Sequence, residues 1–84
     1  GRRKRVKENP IEQLVIYGAS GCPYCVKAKE LANRHGIRVQ YIDLSVDDEA
    51  KRFIIEDIGA RTVPQIFHEG KHIGGYTELV EYLK

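Results

Sequence analysis

The sequence predicts an α/β domain with element order β-α-β-α-β-β-α, a four-stranded mixed sheet carrying helices on both faces. Three observations carry this reading. Short runs rich in β-branched and aromatic residues alternate with stretches whose apolar residues recur at helical spacing. The first two strand-like runs are separated by a full helix, a crossover that makes them parallel. The last two are separated only by Glu69-Gly70-Lys71, which fits a hairpin.

Each element has its own signal. Glu12–Gly18 reads as strand one, around the run Leu14-Val15-Ile16-Tyr17. Pro23–His35 reads as helix one, with Cys25, Ala28 and Ala32 on one face, Leu31 beside them and Gly36 as a stop. Ile37–Asp43 reads as strand two. Ser45-Val46-Asp47-Asp48 resembles a capping box, a serine with an acid three residues later, opening helix two over Asp47 to Ile58. In that helix Ala50, Phe53, Ile54 and Ile58 form an apolar stripe, and Gly59 ends it. Gln65–His68 and His72–Ile73 read as strands three and four. Tyr76–Leu83 is the last helix, with Tyr76, Leu79, Val80 and Leu83 on one face.

The chain has 84 residues, enough for one small core. Its charge is uneven: Arg2, Arg3, Lys4, Arg5 and Lys7 stand in the first seven residues, and the remainder holds nine Lys/Arg against twelve Asp/Glu. The domain proper, residues 10–84, is therefore mildly acidic, and residues 1–9 are expected to be a basic flexible arm or a linker with Pro10 at the domain edge and Ile11 as the first buried side chain. Ordering that arm would cost about 1–2 kcal/mol per residue in backbone entropy with little apolar burial to offset it. No apolar stretch suggests a signal peptide or a membrane span. Two cysteines without a secretory signal fit a reducing, cytoplasmic setting. No nucleic-acid or membrane partner is expected, and a monomer is.

The two cysteines carry the chemistry. Cys22-Pro23-Tyr24-Cys25 lies where strand one passes into helix one, the layout of a thioredoxin-like redox site. Pro23 suits the first helical position. Cys22 then occupies the N-cap, facing free N–H groups and the positive end of the helix dipole, which favours the reactive thiolate. Cys25 lies one turn further in, half-buried, placed to attack a mixed disulfide on Cys22. Two other readings of the pair fit less well. Zinc needs four ligands, no second cysteine pair exists, and His68 and His72 bracket a turn where imidazoles are expected to face solvent; His35 stands apart. A purely structural disulfide across so short a loop would stabilise little.

Three blocks together carry a family resemblance: Tyr17–Cys25, Thr62-Val63-Pro64-Gln65-Ile66-Phe67, and Ile73-Gly74-Gly75-Tyr76-Thr77. In this order, and spanning most of residues 13–83, they resemble the dithiol glutaredoxins, which have the thioredoxin-like fold. The resemblance implies a glutathione-dependent thiol-disulfide oxidoreductase that reduces protein disulfides and glutathione mixed disulfides. Cys22 takes the nucleophile's position and Cys25 the resolving one. Glutathione is implied as co-substrate, with no tightly bound cofactor and no metal. Implied protein partners are disulfide-bearing or glutathionylated proteins, with ribonucleotide reductase, served by several members, among the candidates.

The family's glutathione site maps onto this chain residue by residue. Thr62 and Val63 precede a proline, Pro64, that is cis in the family, and would pair antiparallel with the cysteinyl part of glutathione. Backbone N–H groups of Gly75, Tyr76, Thr77 and Glu78 would hold the γ-glutamyl carboxylate. Tyr24 would line the cleft. One departure stands out: many members carry Lys or Arg three residues before the first cysteine, and here that residue is Ala19. Arg61 or Lys51 is expected to supply the missing charge. Two further roles stay open, an iron–sulfur cluster carried through Cys22 and glutathione, which a proline after the first cysteine disfavours in the family, and a redox module tethered to a larger enzyme.

Overall fold

The computed structural model describes residues 13–84. The basic arm over residues 1–9, Pro10, Ile11 and the expected first residue of strand one, Glu12, lie outside the described residues. The elements are β1 (Gln13–Gly18), α1 (Pro23–Arg34), β2 (Arg38–Asp43), α2 (Asp48–Arg52) running on as a π-helix over Phe53–Ile58, β3 (Gln65–His68), β4 (Lys71–Gly74) and α3 (Tyr76–Tyr82). The strands form one sheet in the order β2-β1-β3-β4. β1 and β2 are parallel, while β1 with β3 and β3 with β4 are antiparallel.

Alternation along β1 divides the core between the two faces of the sheet. Leu14 and Ile16 point to one face, where they meet Ala28 and Ala32 of α1, Ile66 of β3 and Leu79 of α3. Val15 and Tyr17 point to the other, against Leu44, Ile54 and Phe67, with Ala50, Phe53 and Ile58 packed around them. Helices thus cover both faces, as the residue pattern predicts. Full burial of each Leu or Ile in these clusters is worth about 1.5–3 kcal/mol. Small residues at positions 25, 28 and 32, all wholly buried, let α1 lie close on the sheet, which fixes where its first turn points.

Two local expectations change. The Ser45 capping box does not form. Asp47 caps α2 instead, its Oδ1 accepting from the Ala50 N–H at 3.0 Å. Ser45 is taken by Asp43, whose Oδ1 accepts both the Ser45 N–H at 2.9 Å and the Ser45 hydroxyl. A carboxylate at the end of β2 outcompetes a helix N-terminus for that serine, and Asp47 is itself a favoured cap beside the dipole. The second change is in winding: the segment expected as a single α-helix loosens to π geometry from Phe53 and ends at Gly59 with φ 78°. The i, i+4 spacing of Ile54 and Ile58 does not distinguish the two windings. The hairpin turn is tighter than expected, since Glu69 and Gly70 both take positive φ and Lys71 already belongs to β4, as a two-residue primed turn requires.

The imidazoles flanking this hairpin are also less solvent-facing than expected. His68 is half-buried with Nδ1 at 2.7 Å from the Tyr82 hydroxyl. His72 remains exposed but stacks on Phe67, ring centroids 4.8 Å apart. Among the described residues no helix is long and apolar enough to cross a membrane.

Asp43 ties the end of β2 to two loops, since its Oδ2 also accepts the Ser20 hydroxyl at 3.0 Å. The Ser45 bonds, with Ser20 adding to them, hold its carboxyl below the ordinary value of 3.8. A carboxyl depressed in the folded state contributes stability that is full above its unfolded value and is lost as pH falls through the folded one. Asp43→Asn should therefore lower the urea midpoint at pH 7, and the gap to the parent protein should close as the pH drops below 3.8. A gap that persists unchanged in acid would contradict the linkage.

Candidate active site

Cys22 is the N-cap of α1, in extended conformation at φ −99° and ψ 109°, with Pro23 in the first helical turn. Its Sγ accepts from the Cys25 N–H at 3.2 Å. The first N–H groups of a helix have no intrahelical partner and carry the positive end of its dipole. One of them is aimed at the sulfur, where it would hold the charge of a thiolate. From the opposite side the Cys22 thiol reaches the Val63 carbonyl at 3.9 Å, just before the Val63–Pro64 bond, which is cis. The nucleophile expected from the motif therefore lies between the start of α1 and the loop leading into β3.

The turn that delivers Cys22 is anchored to β2 and the residue after it. The Leu44 N–H donates to the Gly18 carbonyl at 2.8 Å, the Tyr41 hydroxyl to the Ala19 carbonyl at 3.1 Å, and Ser20 to Asp43 as above. Both thiols are free, but they differ in environment. Cys22 is half-buried, whereas Cys25, expected to be half-buried, is fully buried. The small side of β1 accounts for this: Gly18 leaves room for the Cys25 sulfur and the Tyr41 ring. A Cβ at position 18 would stand 2.8 Å from Tyr41 Cζ and 2.9 Å from Cys25 Sγ, and nearer still to the Tyr41 hydroxyl. Burial, reinforced by the Cys22 sulfur, pushes the Cys25 thiol up. Burial and the hydrogen bond to Cys25 push the Tyr41 hydroxyl up to about 12.

Beside Cys22 opens a cavity of ≈ 220 Å³ lined by Tyr24, Thr62, Val63, Pro64, Gly75, Tyr76, Thr77 and Glu78. Eight of the ten expected binding residues thus converge from three separate stretches of chain. Tyr24 and Tyr76 face each other with ring centroids 5.8 Å apart, and Lys27 Nζ lies 5.1 Å from the Tyr24 ring. Glu78 Oε1 accepts from the Gly75 N–H at 2.8 Å, so a carboxylate already stands at the α3 terminus. Arg61 and Lys51 are exposed and line a second cavity, ≈ 310 Å³ and largely apolar, which shares Thr62 and Val63 with the first. Thr62 is held from behind: Gln65 Nε2 donates to its carbonyl at 2.9 Å and lies 3.3 Å from its hydroxyl, while Gln65 Oε1 lies 2.7 Å from His72 Nε2. Among the described residues no group of three or more His, Cys, Asp or Glu is placed to hold a metal ion.

Gly18 and Tyr41 also belong to the site, although the motifs give neither of them a role. Tyr41 shares a face with Val39 and Ile37 in the alternation of β2, and a tyrosine on a core face must find a partner for its hydroxyl. That signal was available. The need for glycine at position 18 depends on a contact across strands and was not.

The glutaredoxin family model matches residues 14–73 of this chain. This chain belongs to the glutaredoxin family. It is 43% identical over 79 residues to glutaredoxin 1 of Escherichia coli K12, covering 86% of this chain and 93% of that protein. It is 41% identical over 78 residues to the glutaredoxin of Vibrio cholerae, covering 84% and 90%. Oxidised E. coli glutaredoxin superposes with a TM-score of 0.70 at 42% identity, covering 86% of this chain and 93% of that one. A buckwheat glutaredoxin–glutathione complex superposes with a TM-score of 0.75 at 36% identity, covering 83% of this chain and 66% of that one. The fold of this glutaredoxin is accordingly thioredoxin-like, and the protein is a thiol-disulfide oxidoreductase.

The crowding at Gly18 makes a direct prediction. Gly18→Ala should destabilise by about 1–3 kcal/mol, the usual cost of overpacking, measured by urea denaturation. It should also raise the alkylation rate of Cys25, because the sulfur must move off the strand. Unchanged stability together with an inert Cys25 would contradict the packing described.

Proposed function

We propose that this glutaredoxin uses glutathione to reduce protein disulfides and glutathione mixed disulfides, in a reducing compartment such as the cytoplasm. The observation that carries this reading is the cavity beside Cys22, where three separate stretches of chain meet. A tripeptide disulfide-bonded at Cys22 would lie along Thr62 and Val63. Its γ-glutamyl end carries both a carboxylate and an ammonium group. The N–H groups that open α3 suit the first, and the Glu78 carboxylate suits the second. Its glycyl carboxylate would lie toward Arg61 and Lys51, which replace the charge that Ala19 lacks.

The chemistry follows from the unequal environments of the two thiols. The Cys22 thiolate attacks the glutathione sulfur of a mixed disulfide; that S–S bond breaks, the protein thiolate leaves and glutathione stays on Cys22. A second glutathione thiolate attacks the adduct, releasing glutathione disulfide and the Cys22 thiolate. With a protein disulfide, Cys22 first forms a mixed disulfide with the substrate. Cys25 then attacks Cys22 and expels the substrate thiolate, leaving a Cys22–Cys25 disulfide for two glutathiones to reduce. Burial keeps Cys25 protonated until a mixed disulfide exists for it to attack. Disulfide-bearing and glutathionylated proteins are the partners that fit, ribonucleotide reductase among them.

The test is reduction of a glutathionylated small disulfide by glutathione. Cys22→Ser should lower the rate by at least about 10³-fold, as loss of a nucleophile does, while Cys25→Ser retains most of it. Arg61→Ala and Lys51→Ala should each raise KM by only about two- to fivefold, the range of exposed ion pairs. An active Cys22→Ser with a dead Cys25→Ser would reverse the roles.

A further inference from the structure

Resolution by Cys25 poses an electrostatic problem that the motif alone does not solve. Cys25 is fully buried, yet it must carry negative charge at the moment it attacks. A buried thiolate is strongly unfavourable unless donors hold it. The Tyr41 hydroxyl and the Cys25 sulfur flank the same point beside Gly18, and that hydroxyl and the Ala19 backbone N–H both favour the charged form of the sulfur. Tyr41 stands opposite Ile16 in the β1–β2 register, so its ring runs beneath α1 toward Gly18. Its hydroxyl and the Cys25 sulfur converge on the space a Cβ of Gly18 would fill. The hydroxyl has a second acceptor, the Ala19 carbonyl at 3.1 Å. One proton therefore has two acceptors, a carbonyl and a sulfur, and the balance between them depends on the charge of the sulfur.

We propose that Tyr41 is the positioning residue of the resolving step: its hydroxyl turns from the Ala19 carbonyl to the Cys25 sulfur and holds the thiolate while it attacks Cys22. The proposal rests on the reading of Cys25 as the resolving residue. In that step the Cys25 proton passes to solvent, a bond forms between the two Cys sulfurs, the bond from Cys22 to the substrate sulfur breaks, and the substrate leaves as a thiolate. Over the two attacks together the two cysteines lose two electrons and the substrate disulfide gains them. Tyr41 gives up no proton; held up to about 12, its hydroxyl serves as a donor and not as a base. Among the described residues the ionisable groups around the pair are few. The N-cap of α1 contributes Cys22, and α1 itself Lys29, whose Nζ lies 4.6 Å from the Tyr41 ring centroid. β2 contributes Asp43. The face of β1 turned to them, Leu14, Ile16 and Gly18, contributes none.

The experiment is stopped-flow reaction of the reduced protein with one equivalent of dithiobis-nitrobenzoate across a pH series. Attack by Cys22 releases the first coloured thiolate in a bimolecular phase. Attack by Cys25 releases the second in a phase independent of concentration. Tyr41→Phe should slow the second phase about tenfold near neutral pH, as loss of a bond to a charged group does, and displace its midpoint to higher pH, while the first phase, which loses only the tether to Ala19, changes by less and keeps its midpoint. Fluorotyrosine at position 41 is a stronger donor and should move that midpoint the other way, which a merely structural role would not. An unmoved midpoint in both variants, or an equal loss in both phases, would overturn the proposal. Cys25→Ser should lack the second phase; if it kept that phase, the resolving role of Cys25 would itself fall.

Discussion

The arrangement depends on one meeting point, where the first turn of α1 and the Val63–Pro64 edge close on the sulfur of Cys22. The sulfur takes an N–H from one side at 3.2 Å and reaches a carbonyl on the other at 3.9 Å. Neither partner is local to the other, since Cys25 and Val63 are 38 positions apart in the chain. What brings them together is the sheet. β1 ends at Gly18 and releases the turn to Cys22, and β3 begins at Gln65, paired with Tyr17. The two strands run antiparallel, so the end of one lies beside the start of the other. The site is thus a consequence of strand order, and side-chain packing of α1 on that sheet sets its register.

The same geometry makes the thiols unequal. A cysteine at an N-cap is accessible and faces donors; a cysteine at the third helical position faces the strand beneath. Three tethers, from Leu44, Tyr41 and Ser20, hold the intervening turn to β2 and the residue after it. They fix the height of Cys22 over the sheet. Cys25 gains burial at the cost of a harder ionisation, which leaves the two sulfurs unlike in access and in charge.

Much of this was legible in the residues. The strand runs, the glycines at 36 and 59 and the small face of α1 each have a local cause, so the architecture could be read from them. The cysteine motif and the blocks around Pro64 and Gly75 indicated which segments meet. Three features were out of reach. The competition of Asp43 for Ser45 pits a strand end against a helix start and is decided by their distance in space. The π winding after Arg52 keeps the same apolar spacing as an α-helix. The full burial of Cys25 depends on Gly18 and Tyr41 lying side by side, a relation between two strands that no single run displays.

The central claim is that a peptide disulfide-bonded at Cys22 lies along the Val63 edge and reaches the start of α3. Isotope-filtered NMR of Cys25→Ser carrying glutathione on Cys22 tests it most directly. The account predicts contacts from the cysteinyl protons of glutathione to Val63 and from its γ-glutamyl protons to Tyr76, Thr77 and Glu78. A glutathione lying instead toward Glu56 and Asp57, or giving no contact with Val63, would contradict it.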